Sequence, residues 1–294
     1  MKKNGKSRGR QRYRCTACGR QFSIRKRLTI LHARLWKQYV WERQTLANLA
    51  RRHGKTIQWV QRHLDAASVH SQPHPEHHRI IAMSDATFFG RGYGILVVRC
   101  PRLKRNVHWH EITQESPEAY YRARRELEAQ GYIIEAAVID GKPGIRGVFA
   151  DIPVQMCQFH QMMIVRRYLT QRPKTPAGRE LRAITRSLPA AGEKVFVALL
   201  AQWHDQWTDF LKERTYGLNA RSWQYTHRRI RAAYRSLATN TPYLFTYQRY
   251  PHLRIPNTTN SIDGYFSRLK GLLNVHRGMT MQRRYRLIQE ILAH

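Results

Sequence analysis

Over residues 44–65, QTLANLARRHGKTIQWVQRHLD, apolar residues recur at helical spacing, with Leu46, Leu49 and Ala50 on one face and Ile57, Val60 and Leu64 on another. Gly54 separates the two runs. Glycine enters the left-handed backbone region that a sharp inter-helix turn demands, and Thr56 stands where it can cap the second helix. The pattern predicts a helix-turn-helix within residues 28–67, with Gln58, Trp59, Gln61 and Arg62 facing outward. By spacing alone a plain helical hairpin in a bundle fits equally well.

Periodicity is then lost over residues 68–79, SVHSQPHPEHHR, which read as a linker whose histidines are a solvated His-Pro stretch. From residue 80 the period changes to that of strands. RIIAMSDATFFGRGYGILVVRCPR predicts two strands about a Gly-rich turn, and NVHWHEIT a third by alternation. SPEAYYRARRELEAQGY predicts an amphipathic helix starting from Ser116, with Pro117 in its first turn, and ending at Gly131. IIEAAVID is a continuous apolar run of the kind buried on both faces of a parallel sheet, and VQMCQFH supplies another short strand. The order β-β-β-α-β-α-β predicts an α/β fold, an antiparallel meander extended by parallel strands through helical crossovers. From about 161 to 255 the pattern is helical, an insert without strand signals whose clearest segment is KVFVALLAQWHDQWTDFLKERTY. The final element, NSIDGYFSRLKGLLNVHRG, reads as a helix with Ile262, Phe266, Leu269 and Leu273 on one stripe. Four regions are expected: an arm over 1–27, a helix-turn-helix domain over 28–67, a linker over 68–79 and an α/β domain over 80–294.

Charge changes the picture. The chain has 294 residues, enough for about two domains, and carries 52 Lys plus Arg against 19 Asp plus Glu, a formal net charge of +33. That balance points to a polyanionic partner, and the preponderance of arginine suits bidentate phosphate contacts. Apolar and aromatic residues throughout imply folded nucleic-acid machinery, which favours a groove-reading role for the helix-turn-helix. No apolar run approaches the roughly 18 residues that span a bilayer, and the basic N-terminus lacks the apolar core of a leader. A soluble, cytoplasmic protein with no membrane partner is expected.

The 4 cysteines are too few and scattered for a disulfide scaffold. Cys15 and Cys18 alone form a C-x-x-C, half of the usual four-ligand zinc site, with His32 the nearest further candidate. Residues 1–27 therefore read either as half a zinc ribbon or as a disordered phosphate-binding arm.

Against this basic background the acids stand out. Asp85 lies in the first strand of the meander, Asp140 at the end of the fourth strand and Asp263 on the last helix. The predicted order sets the first and fourth strands side by side, so the three can converge. Clustered carboxylates repel unless divalent cations neutralise them, and hard oxygen ligands favour Mg²⁺ or Mn²⁺. Two such ions about 3.5–4 Å apart can drive in-line attack on a phosphodiester. Simpler readings stand beside these: Asp140-Gly141 as a turn signal, Cys157 and His160 as a buried thiol and a satisfied core histidine, and Asn257–Asn260 as a helix cap or a phosphate contact. Trp203, Trp207 and Trp223 fit either core positions or stacking on an unpaired base.

SDATFF, VIDGKPGI, CQFH and IPNTTNSIDGYFSRLKGLLNVHRGM, in that order with a helical insert before the last, resemble the Mutator-like DDE transposases of bacterial insertion sequences. GRQRYRCTACGRQFS is similar to the second half of the zinc ribbon that precedes a helix-turn-helix in their zinc-binding variants. The likeness covers nearly the whole chain, and N-T-T-N-S-acid and C-x-x-H are its most specific pieces. It implies an RNase H-like mixed sheet (β-β-β-α-β-α-β-α) with a large helical insert, preceded by a basic half zinc ribbon and a helix-turn-helix. Asp85 and Asp140 would be the first two catalytic, Mg²⁺- or Mn²⁺-binding acids, with Asp263 in the third place. Cys15 and Cys18 would hold Zn²⁺, and Cys157 and His160 would shape the site or contact DNA. Gln58, Trp59, Gln61, Arg62, Arg268 and Lys270 would contact DNA. The implied activity is binding of terminal inverted repeats, hydrolysis of a strand and transfer of its 3′-hydroxyl to target DNA by a dimer or higher oligomer. Two departures accompany it. The family's third acid is typically Glu, one methylene longer than Asp263, with Glu290 a second candidate; and the first cysteine pair is missing, which reads as a shortened N-terminus. A catalytically inactive DNA-binding repressor and a metal-dependent nuclease without strand transfer are the rival expectations.

Overall fold

The computed structural model describes residues 1–7, 10–23, 26–68, 79–217 and 222–294, and divides into two compact units, residues 1–71 with 268–294 and residues 72–267. The expected linker and its histidines lie outside the described residues, apart from Ser68 and Arg79 at its ends.

The first unit opens with a small antiparallel sheet of β1 (Lys2–Ser7), β2 (Arg10–Arg14) and β3 (Gln21–Phe22), in that order. Strand pairing therefore replaces the alternative of a disordered arm. The β2–β3 turn carries Cys15 and Cys18 and closes through Cys15 N–H to the Arg20 carbonyl at 2.9 Å, with Gly19 at φ +70°. Three helices follow: α1 (Lys26–Val40), α2 (Leu46–His53) and α3 (Ile57–Asp65). Thr45 and Thr56 hydroxyls accept from Asn48 N–H at 3.2 Å and Trp59 N–H at 3.1 Å, so each helix start has the side-chain acceptor its unpaired amides require. Gly54 ends α2 at φ +59°, the left-handed turn expected between the two helices. Leu35, Tyr39, Val40, Leu49, Val60 and Leu64 form the buried centre. Ile57 corrects the predicted stripe: as the first residue of α3 it stays 42% exposed.

The second unit is built on a five-stranded mixed sheet. Its elements are β4 (Arg79–Phe88), β5 (Gly94–Cys100), β6 (Arg105–Ile112), α4 (Pro117–Ala129), β7 (Ile133–Ile139), α5 (Ile145–Val148), β8 (Val154–Met156) and α6 (Gln158–Leu169). The strand order is β6-β5-β4-β7-β8, with the first three antiparallel and β7 and β8 parallel to β4. Ile80 and Ala82 of β4 and Ala137 and Ile139 of β7 pack with Tyr120, Ala123 and Leu127 of α4. A strand's side chains alternate between faces, so Met83 and Asp85, and likewise Val138, belong to the face away from α4.

After α6 come α7 (Pro176–Ser187), α8 (Glu193–Lys212), β9 (Arg214–Tyr216), β10 (Trp223–Tyr225), α9 (Arg228–Leu244) and α10 (Thr246–Arg249). Leu181, Phe196, Leu200, Trp203, Leu237 and Phe245 form a second core here. The β9–β10 pair corrects the expectation of an insert free of strands. Its strands are short and exposed, so they carry no buried-face alternation. Cross-strand contact holds them, with the Arg214 guanidinium 3.8 Å from the Trp223 ring centre.

α11 (Asn260–Val275) carries the predicted Ile262, Phe266, Leu269 and Leu273 stripe, all buried. It is not the final element: α12 (Met281–Leu292) follows, capped by Thr280. Arginines interrupt its apolar period. One of them, Arg283, is buried and makes a two-pronged pair with Asp65 at 2.9 and 2.8 Å, within the first unit. Among the described residues no helix is long and apolar enough to cross a membrane.

Candidate metal centre

The register of β4 on β7 pairs Met83 with Val138. Asp85 stands two residues further along β4 and Asp140 follows the last residue of β7, which brings the two acids within electrostatic reach of each other at this end of the sheet. Asp140 closes no hairpin. The chain after it crosses through α5 to the parallel strand β8, and a Cβ on Gly141 would meet the Met156 methyl, so the end of that side chain packs directly over the glycine.

Two helix starts complete the site. Cys157 is fully buried just before α6, its N–H bonded to the Ile139 carbonyl at 2.8 Å, so the end of β7 sets the position of the helix. His160 lies one turn on. Thr259, also fully buried, donates its backbone N–H and its hydroxyl to Cys157 Sγ at 3.2 and 3.3 Å, while Asn257 and Gln158 exchange a side-chain bond at 3.0 Å. The Thr259 carbonyl accepts from the N–H groups of Ile262 and Asp263, and its hydroxyl lies 3.4 Å from both His160 Nδ1 and Asp263 Oδ2. The first turn of α11 is thereby tied to the first turn of α6. Asp85, His160 and Asp263 each offer a ligand atom within 4.8 Å of the other two, all three side chains being half-buried.

Burial pushes the Asp85 carboxyl up to about 7; the Ala86 N–H at 2.7 Å and the His160 charge pull the other way, and the charges of Asp263 and Asp140 add to the rise. Asp140 is raised by burial and by the Glu115 charge, against the Lys142 N–H at 3.2 Å. The hydrogen bond with Cys157 lifts His160 to about 9; burial opposes this, while the Cys157, Asp85 and Asp263 charges favour it. Burial drives the Cys157 thiol up, but bonds from His160 and Thr259 outweigh it and leave the thiol below its ordinary value. An imidazolium thus offsets the repulsion among the acids, the same electrostatic task a divalent cation performs. Two carboxylates and an imidazole suit a divalent ion, and the imidazole shifts preference from Mg²⁺ toward Mn²⁺ and the softer metals.

His160 is therefore the residue whose placement differs most from its simplest sequence reading, because the C-x-x-H divides its labour: the thiol anchors two helices and the imidazole faces the acids. Asp140 stands outside the close trio but within electrostatic reach of Asp85 and His160. Sequence reasoning missed Glu115. Its carboxylate accepts from the Tyr120 hydroxyl at 2.7 Å and pairs with Lys142 Nζ at 3.1 Å, beside Asp140. It precedes α4 in a segment without period or motif, so no local signal marked it. Glu290 belongs to the other unit, where it is buried in α12.

Among the described residues no third ligating side chain joins Cys15 and Cys18. On α3, Gln58 and Arg62 are exposed and Gln61 is half-buried; Trp59 is half-buried because its ring stacks on His63 at 4.0 Å. Arg268 and Lys270 are exposed on α11. Trp203 and Trp207 are structural, donating to the Ala177 carbonyl at 3.0 Å and to Glu180 at 2.7 Å, whereas Trp223 is exposed under Arg214. No protein-family model matches the chain, and no curated protein matches it.

Proposed function

We propose that the chain is a DNA transposase with an RNase H-like catalytic domain, which cleaves phosphodiesters and joins a freed 3′-hydroxyl to target DNA. The observation that carries this reading is the meeting of Asp85, His160 and Asp263 from three separate elements, with Asp140 just past the end of the neighbouring parallel strand and its charge felt at Asp85, in a chain of net charge +33. The strand order β6-β5-β4-β7-β8, with one antiparallel meander and two parallel additions, supports the fold assignment.

Asp85 and Asp263 would hold a divalent cation, with His160 as a nitrogen ligand once it gives up its proton, and Asp140 would hold a second or share the first. Such a cation stabilises charge on the phosphodiester oxygens and eases deprotonation of the attacking hydroxyl. Lys142 keeps Glu115 in place beside Asp140, and the surplus arginines retain the DNA backbone by paired N–H contacts. The capped pair α2 and α3 presents Gln58 and Arg62 as groove-facing side chains.

The test is to incubate the purified protein with a linear donor carrying the ends of its own element, with Mg²⁺ or Mn²⁺, and to resolve the products. Cleavage and joining, both abolished in Asp85→Asn, is the expected result. Cleavage without joining identifies a nuclease, and a retarded but intact donor identifies a DNA-binding repressor; either outcome overturns the transposase reading.

A further inference from the structure

Away from the acids, the first unit holds a cavity of about 470 Å³ whose walls include Trp36, Trp41, Lys37, Arg268, Glu290 and His294. That volume is within the range of sites for small organic molecules, about 300–1,000 Å³. Trp36 is 3% exposed and its indole N–H is buried without a hydrogen-bond partner. The Arg268 guanidinium lies 5.8 Å from the Trp41 ring centre, and the His294 ring lies 5.0 Å from the same indole. Lys37 and Arg268 are exposed at the rim, and the Glu290 carboxylate is buried within the fold.

We infer that this cavity receives one unpaired nucleobase of a DNA strand, stacked on Trp41, with its phosphate held by Lys37 and Arg268. A flat heteroaromatic ring suits the aromatic walls that Trp41 and His294 supply. The two rim cations call for an anion attached to that ring, which a nucleotide supplies. A paired base cannot enter, since its hydrogen-bonding edge and both faces are taken up in the duplex; the ligand is a base extruded from a helix or lying in a single-stranded segment. The proposal rests on the DNA-binding reading, but it concerns a different unit of the chain from the acid cluster.

The experiment compares three probes on the full chain: a paired duplex, the same duplex with one unpaired 2-aminopurine, and 2-aminopurine deoxyribonucleoside monophosphate. The duplex with the unpaired base is expected to bind about tenfold more tightly than the paired one, the scale of one base–aromatic stack. Its 2-aminopurine emission is expected to be quenched on binding. Trp41→Ala should erase that preference while leaving paired-duplex affinity unchanged, and Trp41→Phe should restore most of it, which separates stacking from misfolding. Equal binding of the two duplexes, or an equal loss for both in Trp41→Ala, overturns the proposal and leaves DNA binding intact. Failure to bind either duplex overturns both readings. Binding of the free monophosphate as tight as that of the unpaired-base duplex identifies a free-nucleotide site and overturns the assignment to a DNA strand.

Discussion

Thr259 donates two hydrogen bonds to the Sγ of Cys157, a residue 102 positions earlier in the chain, and through them the helix carrying Asp263 is fixed against the helix carrying His160. The same hydroxyl lies 3.4 Å from both the imidazole and the carboxylate that it helps to place. Removing it should loosen the centre without altering any ligand. In Thr259→Val, which keeps the shape, stability should fall by about 1 kcal/mol and Mn²⁺ affinity about tenfold. Thermal melts and a metal titration followed by calorimetry check both; an unchanged affinity would show that the acids are positioned independently of this contact.

Asp85 provides a pH-dependent signature. Its folded-state pKa, about 7, lies above the ordinary aspartate value, so the metal-free folded chain holds this proton more tightly than the unfolded chain does. The associated stability is fully present below about pH 4 and is lost as pH rises through 7. Asp85→Asn replaces a buried charge with a neutral isostere. It should raise the melting temperature at pH 8 by several degrees, at about 2–4 °C per kcal/mol for a chain of this class, and change it little at pH 4. A destabilised Asn variant at pH 8 would contradict the burial argument.

Metal binding at the proposed centre would displace protons, because Asp85 near 7 and His160 near 9 are both wholly or partly protonated at neutral pH. Mn²⁺ should therefore stabilise the protein more at pH 8.5 than at pH 6, and a chelator should reverse the gain. Isothermal titrations in buffers of different ionisation enthalpy should register net proton release. Release of none would place the ion elsewhere.

A second titration lies away from the acids. His108 is buried on β6, its Nε2 3.0 Å from His110 Nδ1, and burial first, then the neighbouring His110, holds its pKa down to about 4. The unfolded chain therefore takes up a proton first, and stability is lost as pH falls from 6.5 toward 4. His108→Gln should flatten this part of the acid-unfolding profile. Chemical denaturation at pH 7 and pH 5 measures the change in slope.

Local chemistry made much of the fold legible. Helical spacing, Thr56 and Gly54 defined α2 and α3; alternation and Pro117 defined the meander and α4, because each signal acts over a few residues of backbone. β9 and β10 escaped notice since exposed strands show no buried face, and α12 since arginines break its apolar stripe.

Sequence by itself determined that the chain is basic, that its acids are rare, and that three of them fall on a strand, at a strand end and on a helix. Tertiary structure decided which groups meet: Asp85 and Asp263 with His160, Asp140 a step aside, Glu115 behind it, and Glu290 in the other unit. Periodicity assigns a side chain to a face of its own element, but distances between elements depend on register and on anchors such as Thr259 to Cys157, which join residues far apart in the chain and leave no repeating pattern along it.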